Sequence, residues 1–325
     1  MKFLIVGFGS IGRRHFRNLL ALRETDILFY RTHQSTLEDS ELTGYLVEPD
    51  LESALAQEPD AVIIANPSAY HLDVAISAAR QGCHILLEKP ISNSMSRVDE
   101  LSKVVQMSGS RVLVGFQFRY HPNLNKIKAL LENQKIGRVL SFRSHWGEYL
   151  PSWHPWEDYR DSYAARKDLG GGVLLTLCHN FDYLPWLFGE TRVHSALLGY
   201  NSGLGIDVED TADVSLVCDK KIYGSLHLNF TQMPGKHYLE IIGSSGSIYW
   251  DYYQNRVDLY IINPNGALKK EIFSAPDGFG RDDLFIQEMK HFIDMINGNA
   301  DPICSLADGI KALELSVQAK VKGAR

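Results

Sequence analysis

What the chain has little of already narrows it. Only four cysteines occur in 325 residues, Cys83, Cys178, Cys218 and Cys304, and none belongs to a CxxC pair. That spacing speaks against a zinc knuckle or a disulfide framework, so a reducing cytoplasm is the expected setting. Long apolar runs are missing as well: none approaches the roughly 18 residues that a membrane span requires. The opening MKFLIVGFG has one lysine and an apolar run that stops at glycine. It is too short for a secretory signal and reads as a first strand. Excess positive charge is also lacking. The formal charge is −6, with basic residues gathered only at Arg13, Arg14 and Arg17, which argues against a nucleic-acid or anionic-membrane surface. Among twelve histidines, His121, His145, His154 and His179 fall within about 60 residues, but none forms an i,i+4 pair around an acid. No metal site is expected. What remains is an ordinary globular composition, 45% apolar and 22% charged, and enough chain for two domains.

The first third carries the clearest signals. Lys2 to Val6 reads as a buried strand, GFGSIG follows at once, and RRHFRNLLAL continues at helical spacing. In that strand–turn–helix order, Gly7 permits a tight turn, Gly9 lets a pyrophosphate approach the backbone, and Gly12 lets helix pack on strand. Ser10 and Ile11 complete the turn, where phosphates would meet the N–H groups and positive end of the helix. The second strand, Asp26 to Tyr30, ends in Arg31-Thr32-His33. An NAD site usually carries an acid there, whereas Arg31 and Thr32 suit a 2′-phosphate. NADP is therefore expected ahead of NAD, with an exposed loop arginine as the plain alternative.

DAVIIANPSAYH and CHILLEKP, separated by a helix-length segment, read as parallel βαβ units. Ligands of such sheets gather at the carboxyl ends of strands, which selects Asn66, Pro67 and His71 at one end and Glu88 and Lys89 at another. Lys89 is either a solvated turn residue or a partly desolvated donor to a substrate oxygen. Strand Arg111–Gly115 leads into FQFRYHP, where Gln117 is assigned to the cofactor and Arg119 to the substrate.

Taken in order, GFGSIG, DAVIIANPSAYH, LLEKP, GFQFRYHP and GGGVLL…H…D resemble the Gfo/Idh/MocA oxidoreductases. The likeness covers essentially the whole chain, through FIDMINGNADPICSLADGIKALELSVQA near its end. It implies an α/β fold: a doubly wound parallel Rossmann domain over 1–118 and a C-terminal α/β domain with a large open mixed sheet over 119–325. It implies hydride transfer between NAD(P) and a hydroxyl or keto carbon of a sugar, polyol or nucleotide sugar. It also implies dimers or tetramers through the wide sheet face, for which Tyr223, His227 and Phe230 are candidates, though a helix covering the same face would explain them equally well. By the same likeness Lys89 contacts substrate and supports proton transfer. His179 matches the family's acid–base histidine, because H-x-x-D-x-x-x-W is kept as His179, Asp182 and Trp186. One feature departs: the family's aspartate four residues before that histidine is replaced by Leu175 or Thr176, so the family's Lys–Asp–His trio is reduced to a Lys–His pair.

Residues 121–133 read as a helix and Val139–Glu148 as the start of the second sheet. The segment EYLPSWHPWEDYRDSYAARKDLGGG, with its prolines, reads as a loop. Trp153 or Trp156 could stack on a sugar, with His154 beside them, while Arg160 or Arg166 could fork onto an anionic group. Equally, the tryptophans could fill a domain interface and the arginines pair locally. SLVCDKKIYGSLHLNF reads as a hairpin about Asp219-Lys220, with further turns at Gly243–Gly246 and Asn263–Gly266. On a helix from Gly172 to Trp186, His179 shares a face with Leu175, Thr176, Asp182 and Tyr183. Asp182 could then fix the His179 tautomer, with Thr176 toward substrate and Tyr163 as a reserve donor. Two other classes stay open: a transient-oxidation enzyme that recycles its cofactor, and a catalytically silent cofactor-binding regulator.

Overall fold

The computed structural model describes residues 1–32, 40–219, 221–263 and 265–324. By contacts the chain divides into two units, 1–117 with 168–170 and 280–313, and 118–167 with 171–279 and 314–325. No helix among the described residues is long and apolar enough to cross a membrane.

In the first unit β1 (Phe3–Val6), β2 (Ile27–Tyr30), β3 (Leu46–Glu48), β4 (Ala61–Ile64), β5 (His84–Glu88) and β6 (Val112–Gly115) form one sheet. Its order is β3-β2-β1-β4-β5-β6, and every pairing is parallel. Helices α1 (Ser10–Ala21), α2 (Leu51–Leu55), α3 (His71–Arg80) and α4 (Val98–Ser108) lie between successive strands in the chain. Strands β1 and β4 are buried at every position, as helices on both faces of a parallel sheet require. The strand order reverses between them, so their carboxyl ends open a crevice of the kind that binds ligands in this fold.

In the second unit α5 (Pro122–Glu132) starts on proline and is capped by the His121 ring, which accepts the Asn123 N–H at 3.2 Å. There follow β7 (Val139–Tyr149), α6 (Val173–Thr176), α7 (His179–Phe188), β8 (Thr191–Gly199), β9 (Thr211–Cys218) and β10 (Ile222–Asn229). Then come β11 (Thr231–Gly243), β12 (Gly246–Asp251), β13 (Arg256–Ile262) and β14 (Leu268–Ser274). The eight-stranded sheet runs β14-β13-β12-β11-β7-β10-β9-β8. Only β7 and β10 pair in parallel, so the sheet is mixed. Alternation puts Phe142, Leu216, Leu226, Ile241 and Ile248 on the buried face and Arg143, Tyr223, Glu240 and Ile242 on the other. The hairpin is β9 with β10, Cys218 pairing Ile222. Lys220 in its turn, Pro264 in the turn at 263–266, and His33 after β2 lie outside the described residues.

Three expectations change. The single helix over 172–186 is two, because the backbone leaves helical angles at Leu177 (φ −93°, ψ 35°). Thr176 and His179 therefore do not belong to one continuous helical face. Phe230 is fully buried, with Trp153 edge-on at 5.7 Å, unlike Tyr223 on the open face. Finally α8 (Arg281–Ile296), which precedes α9 (Leu306–Gly323), groups with the first unit although the sequence assigns 119–325 to the second domain. The reason is apolar: Met289, Phe292 and Met295 complete one buried cluster with Phe3, Ile5, Leu19 and Phe29.

Candidate active site

The glycine turn is built as a cradle. Gly7 has φ +89°, and a Cβ there would lie 2.7 Å from the Asn66 nitrogen, so glycine alone fits. A Cβ on Gly12 would stand 2.1 Å from the Gly7 carbonyl oxygen, which is the close approach of helix to strand. Over Gly9, by contrast, a Cβ meets nothing within 4 Å among the described residues. The α1 N-terminus beyond it has no side-chain cap among them and no acid in its first turn. Its leading N–H groups and dipole suit a pyrophosphate. Nearby in the sequence pattern, buried Asn66 Oδ1 and Gln117 Oε1 lack hydrogen-bond partners among the described residues. Buried acceptors in that state want a donor, and a dinucleotide's amide or hydroxyl groups would supply one. The residues present therefore fit a nicotinamide dinucleotide.

At the end of β2, Arg31 is buried and Thr32 exposed. The guanidinium carbons of Arg13 and Arg31 lie 4.5 and 5.9 Å from the centroid of the Phe8 ring. Burial, and then the charge of Arg13, lower the Arg31 pKa. Arg13 is already paired with Glu41, Nη1 to Oε1 at 2.7 Å, and a bound anion would add to that compensation beside Arg31.

The carboxyl ends of β4 and β5 are tied together by His71. Its Nδ1 lies 2.8 Å from the Pro90 carbonyl oxygen and its Nε2 2.8 Å from that of Asn66. Burial outweighs both carbonyls and pulls the ring's pKa down; a neutral ring donates to only one of them. Pro67 and Lys89 are half-buried. Glu88 is buried, accepting from His15 Nε2 at 2.7 Å and from the Lys89 N–H at 3.2 Å. Burial works to raise Glu88, yet the His15 bond and charge with Lys89 leave it below the ordinary carboxylate range.

In the second unit the arrangement around His179 differs from the sequence reading. Arg119, assigned to the substrate, forks onto Asp182, with Nε to Oδ2 at 2.8 Å and Nη2 to Oδ1 at 2.7 Å. Asp182, assigned to the His179 tautomer, is thus first the counter-ion of Arg119. Both are buried, and so are Thr176 and His179. His179 opens α7 and packs against Phe118 edge-on at 4.9 Å and Trp146 at 5.5 Å. The wall continues with His237, stacked on Trp146 at 4.4 Å and 3.1 Å from the Tyr183 hydroxyl. Burial drives His237 well below its ordinary pKa, keeping the ring neutral, and raises Tyr183. Tyr183 was placed on the His179 face by the sequence, whereas nothing in the sequence singled out His237.

The long loop is less committed. Trp153 and His154 are half-buried and Trp156 is exposed, stacked on His154 at 5.0 Å. His154 Nδ1 lies 2.8 Å from Glu157, and exposed Arg160 pairs with Asp158, its Nε 2.9 Å from Oδ1. That is the local pairing left open by the sequence. Tyr163 is half-buried. At Gly172, φ is +102° and a Cβ would lie 2.3 Å from Glu209 Oε1. Glu209 is a buried carboxylate that burial shifts upward and Lys320, 3.6 Å away, partly offsets.

Comparison with known proteins agrees with these features. Residues 1–116 match the oxidoreductase family with NAD-binding Rossmann fold, and residues 124–249 match the GFO/IDH/MocA C-terminal domain. Myo-inositol 2-dehydrogenase of Thermotoga maritima is 25% identical over 335 aligned residues, covering 98% of this chain and 95% of that protein. An uncharacterised oxidoreductase of Synechocystis sp. is 31% identical over 215 residues, 61% of this chain and 57% of that protein. Levoglucosan dehydrogenase in complex with NADH and levoglucosan shares the fold, with a TM-score of 0.86 at 20% identity, covering 99% of this chain and 97% of that one. With a glycine cradle on a parallel sheet, a mixed eight-stranded sheet after it, and both family domains matched in order, this chain belongs to the Gfo/Idh/MocA oxidoreductases.

Proposed function

We propose that the protein transfers a hydride between a nicotinamide and a carbinol or keto carbon of a sugar-like substrate, with NADP preferred to NAD. The observation that carries the cofactor half is the open approach over Gly9 to an uncapped helix N-terminus, flanked at the end of β2 by Arg31 and Thr32. Gly7, Ser10, Ile11 and Gly12 would shape that turn, while Asn66, Pro67, His71, Glu88 and Gln117 would line the rest of the cofactor site. The nicotinamide, when bound, accepts or returns the hydride.

The chain's own part is proton handling and orientation. In the oxidising direction the substrate hydroxyl loses its proton to His179 as its carbon loses hydride; in the reducing direction His179 returns it. Lys89 polarises the same oxygen. Arg119, held by Asp182, keeps that wall of the second unit rigid, while Trp153, His154, Arg160, Tyr163 and Thr176 are the substrate contacts. Myo-inositol 2-dehydrogenase, similar along nearly the whole chain, supports a polyol or sugar as the substrate class. Assembly into a dimer or tetramer through the sheet face bearing Tyr223 belongs to the same reading.

The test is a fluorescence titration with NADPH and NADH, followed by a panel of sugars and polyols. Tighter NADPH binding, lost in Arg31→Ala, is expected, as is turnover lost in His179→Ala and Lys89→Ala. Equal NADH binding removes the role of Arg31. Turnover without net cofactor change would assign the transient-oxidation class, and wild-type turnover by both alanine variants would sink the catalytic assignment.

A further inference from the structure

Three acid–base side chains meet inside the first unit, away from solvent. They are His15 on α1, Glu88 at the end of β5 and Glu288 on α8, each contributing one polar atom within 4.8 Å of the others. All are buried, Glu288 completely. Glu88 is well supplied, with His15 Nε2 at 2.7 Å and the Lys89 N–H at 3.2 Å. It is also packed tightly, since a Cβ on Gly115 would lie 3.1 Å from its Cδ. Glu288 is the opposite case: neither of its oxygens has a hydrogen-bond partner among the described residues.

Two carboxyls this close in a dry interior cannot both be ionised, because each charge adds to the other's desolvation cost. The donors around Glu88 favour its charged form, so the proton belongs to Glu288. A neutral Glu288 then holds its proton within 4.8 Å of the Glu88 carboxylate. We propose that Glu288 is a positioning residue, confining one proton beside the Glu88 carboxylate, and that the His15–Glu88–Glu288 cluster thereby fixes the Lys89 peptide. The role assigned to Lys89 rests on the proposed function above; the location of the proton does not. Burial, and then the charge of Glu88, push the Glu288 pKa well above its ordinary value, in agreement. Other charged or titratable groups acting on the cluster are Arg14 from α1, His71 from α3 and Lys89 itself.

A role in positioning separates from a role in stability by sign. Glu288→Leu removes a buried carboxyl, so its melting temperature should hold or rise. Freed of its neighbour, the Lys89 peptide should shift, and NADPH and NADH binding should weaken about tenfold. Glu288→Gln keeps a donor of the same shape and should restore binding. The effect of Glu288→Leu should persist when Lys89→Ala is already present, because the contact to Glu88 is made by the backbone N–H of residue 89. Infrared difference spectra at pH 8 should show a protonated-carboxyl band in the wild type that is absent from Glu288→Gln. Binding that follows stability across these variants would overturn the positioning role. A missing infrared band, or one equivalent of a divalent metal in the purified protein, would overturn the shared proton. A wild type that binds neither dinucleotide fails the proposed function and takes the Lys89 role with it, while the infrared band still decides where the proton resides.

Discussion

Asp182→Asn isolates the buried pair behind the candidate acid–base histidine. The substitution keeps the shape and removes the carboxylate charge facing the Arg119 guanidinium, at side-chain exposures of 6% and 1% for the pair. Two unit charges about 4 Å apart attract by roughly 4 kcal/mol at an effective dielectric near 20. Breaking a buried pair by removing one partner typically costs about 3–5 kcal/mol, the larger part being the stranded charge. For a unit of this size that corresponds to a melting midpoint lower by roughly 10 °C. The assay is favourable because all five tryptophans, Trp146, Trp153, Trp156, Trp186 and Trp250, belong to the second unit. Tryptophan emission during thermal unfolding therefore reports the unit that holds the pair. The double variant Arg119→Met, Asp182→Leu should recover most of the loss, since apolar groups of similar volume carry no desolvation debt. A midpoint within about 1 °C of wild type for Asp182→Asn, or a double variant no better than the single, would refute this reasoning, whose scale is the buried-pair penalty.

Gly7→Ala and Gly9→Ala should part company. The first meets Asn66 backbone at φ +89° and should lower stability by at least about 1 kcal/mol; the second meets none of the described residues and should leave the melt unchanged while weakening dinucleotide binding in the titration. Acid should destabilise the second unit through His121, which burial holds down to about 4 against an ordinary 6.5. A base with a lowered folded pKa contributes stability that is intact above pH 6.5 and lost as pH falls toward 4, here about 3 kcal/mol in full. Tryptophan-monitored melts of wild type and His121→Asn across that window should therefore diverge most at pH 7 and converge near pH 4. Glu288 has the reverse sign: its folded pKa is raised, so its stability is intact below the ordinary carboxyl range and falls as pH rises. Calorimetry should find Glu288→Gln progressively more stable than wild type above about pH 5, by up to about 1.4 kcal/mol per pH unit until the folded pKa is passed; curves that stay parallel from pH 4 to 8 would place no proton there.

Much of the first unit was legible because its signals are local. A buried strand, a glycine turn and a helix follow one another within 21 residues, and each glycine's task is set by its immediate neighbours. The carboxyl ends of β4 and β5 could be located for the same reason: runs of apolar residues end in polar ones. Membership of the family rested on the order of short motifs, which the chain displays without folding. The hairpin around Asp219 and the start of the second sheet at Val139 were legible for the same reason.

Contacts between distant residues were not legible. Nothing near Asp182 says that Arg119, 63 positions earlier, takes both its oxygens, so the tautomer of His179 was assigned to the nearest carboxylate on a helix that in fact breaks at Leu177. Nothing in the sequence singled out Glu288, because an exposed glutamate and a buried one look alike until the partner surface is known. Sequence determined which side chains were available and which local turns they could make; tertiary packing, by removing water from a few of them, decided which carboxyl keeps a proton, which histidine stays neutral and which arginine is already spoken for.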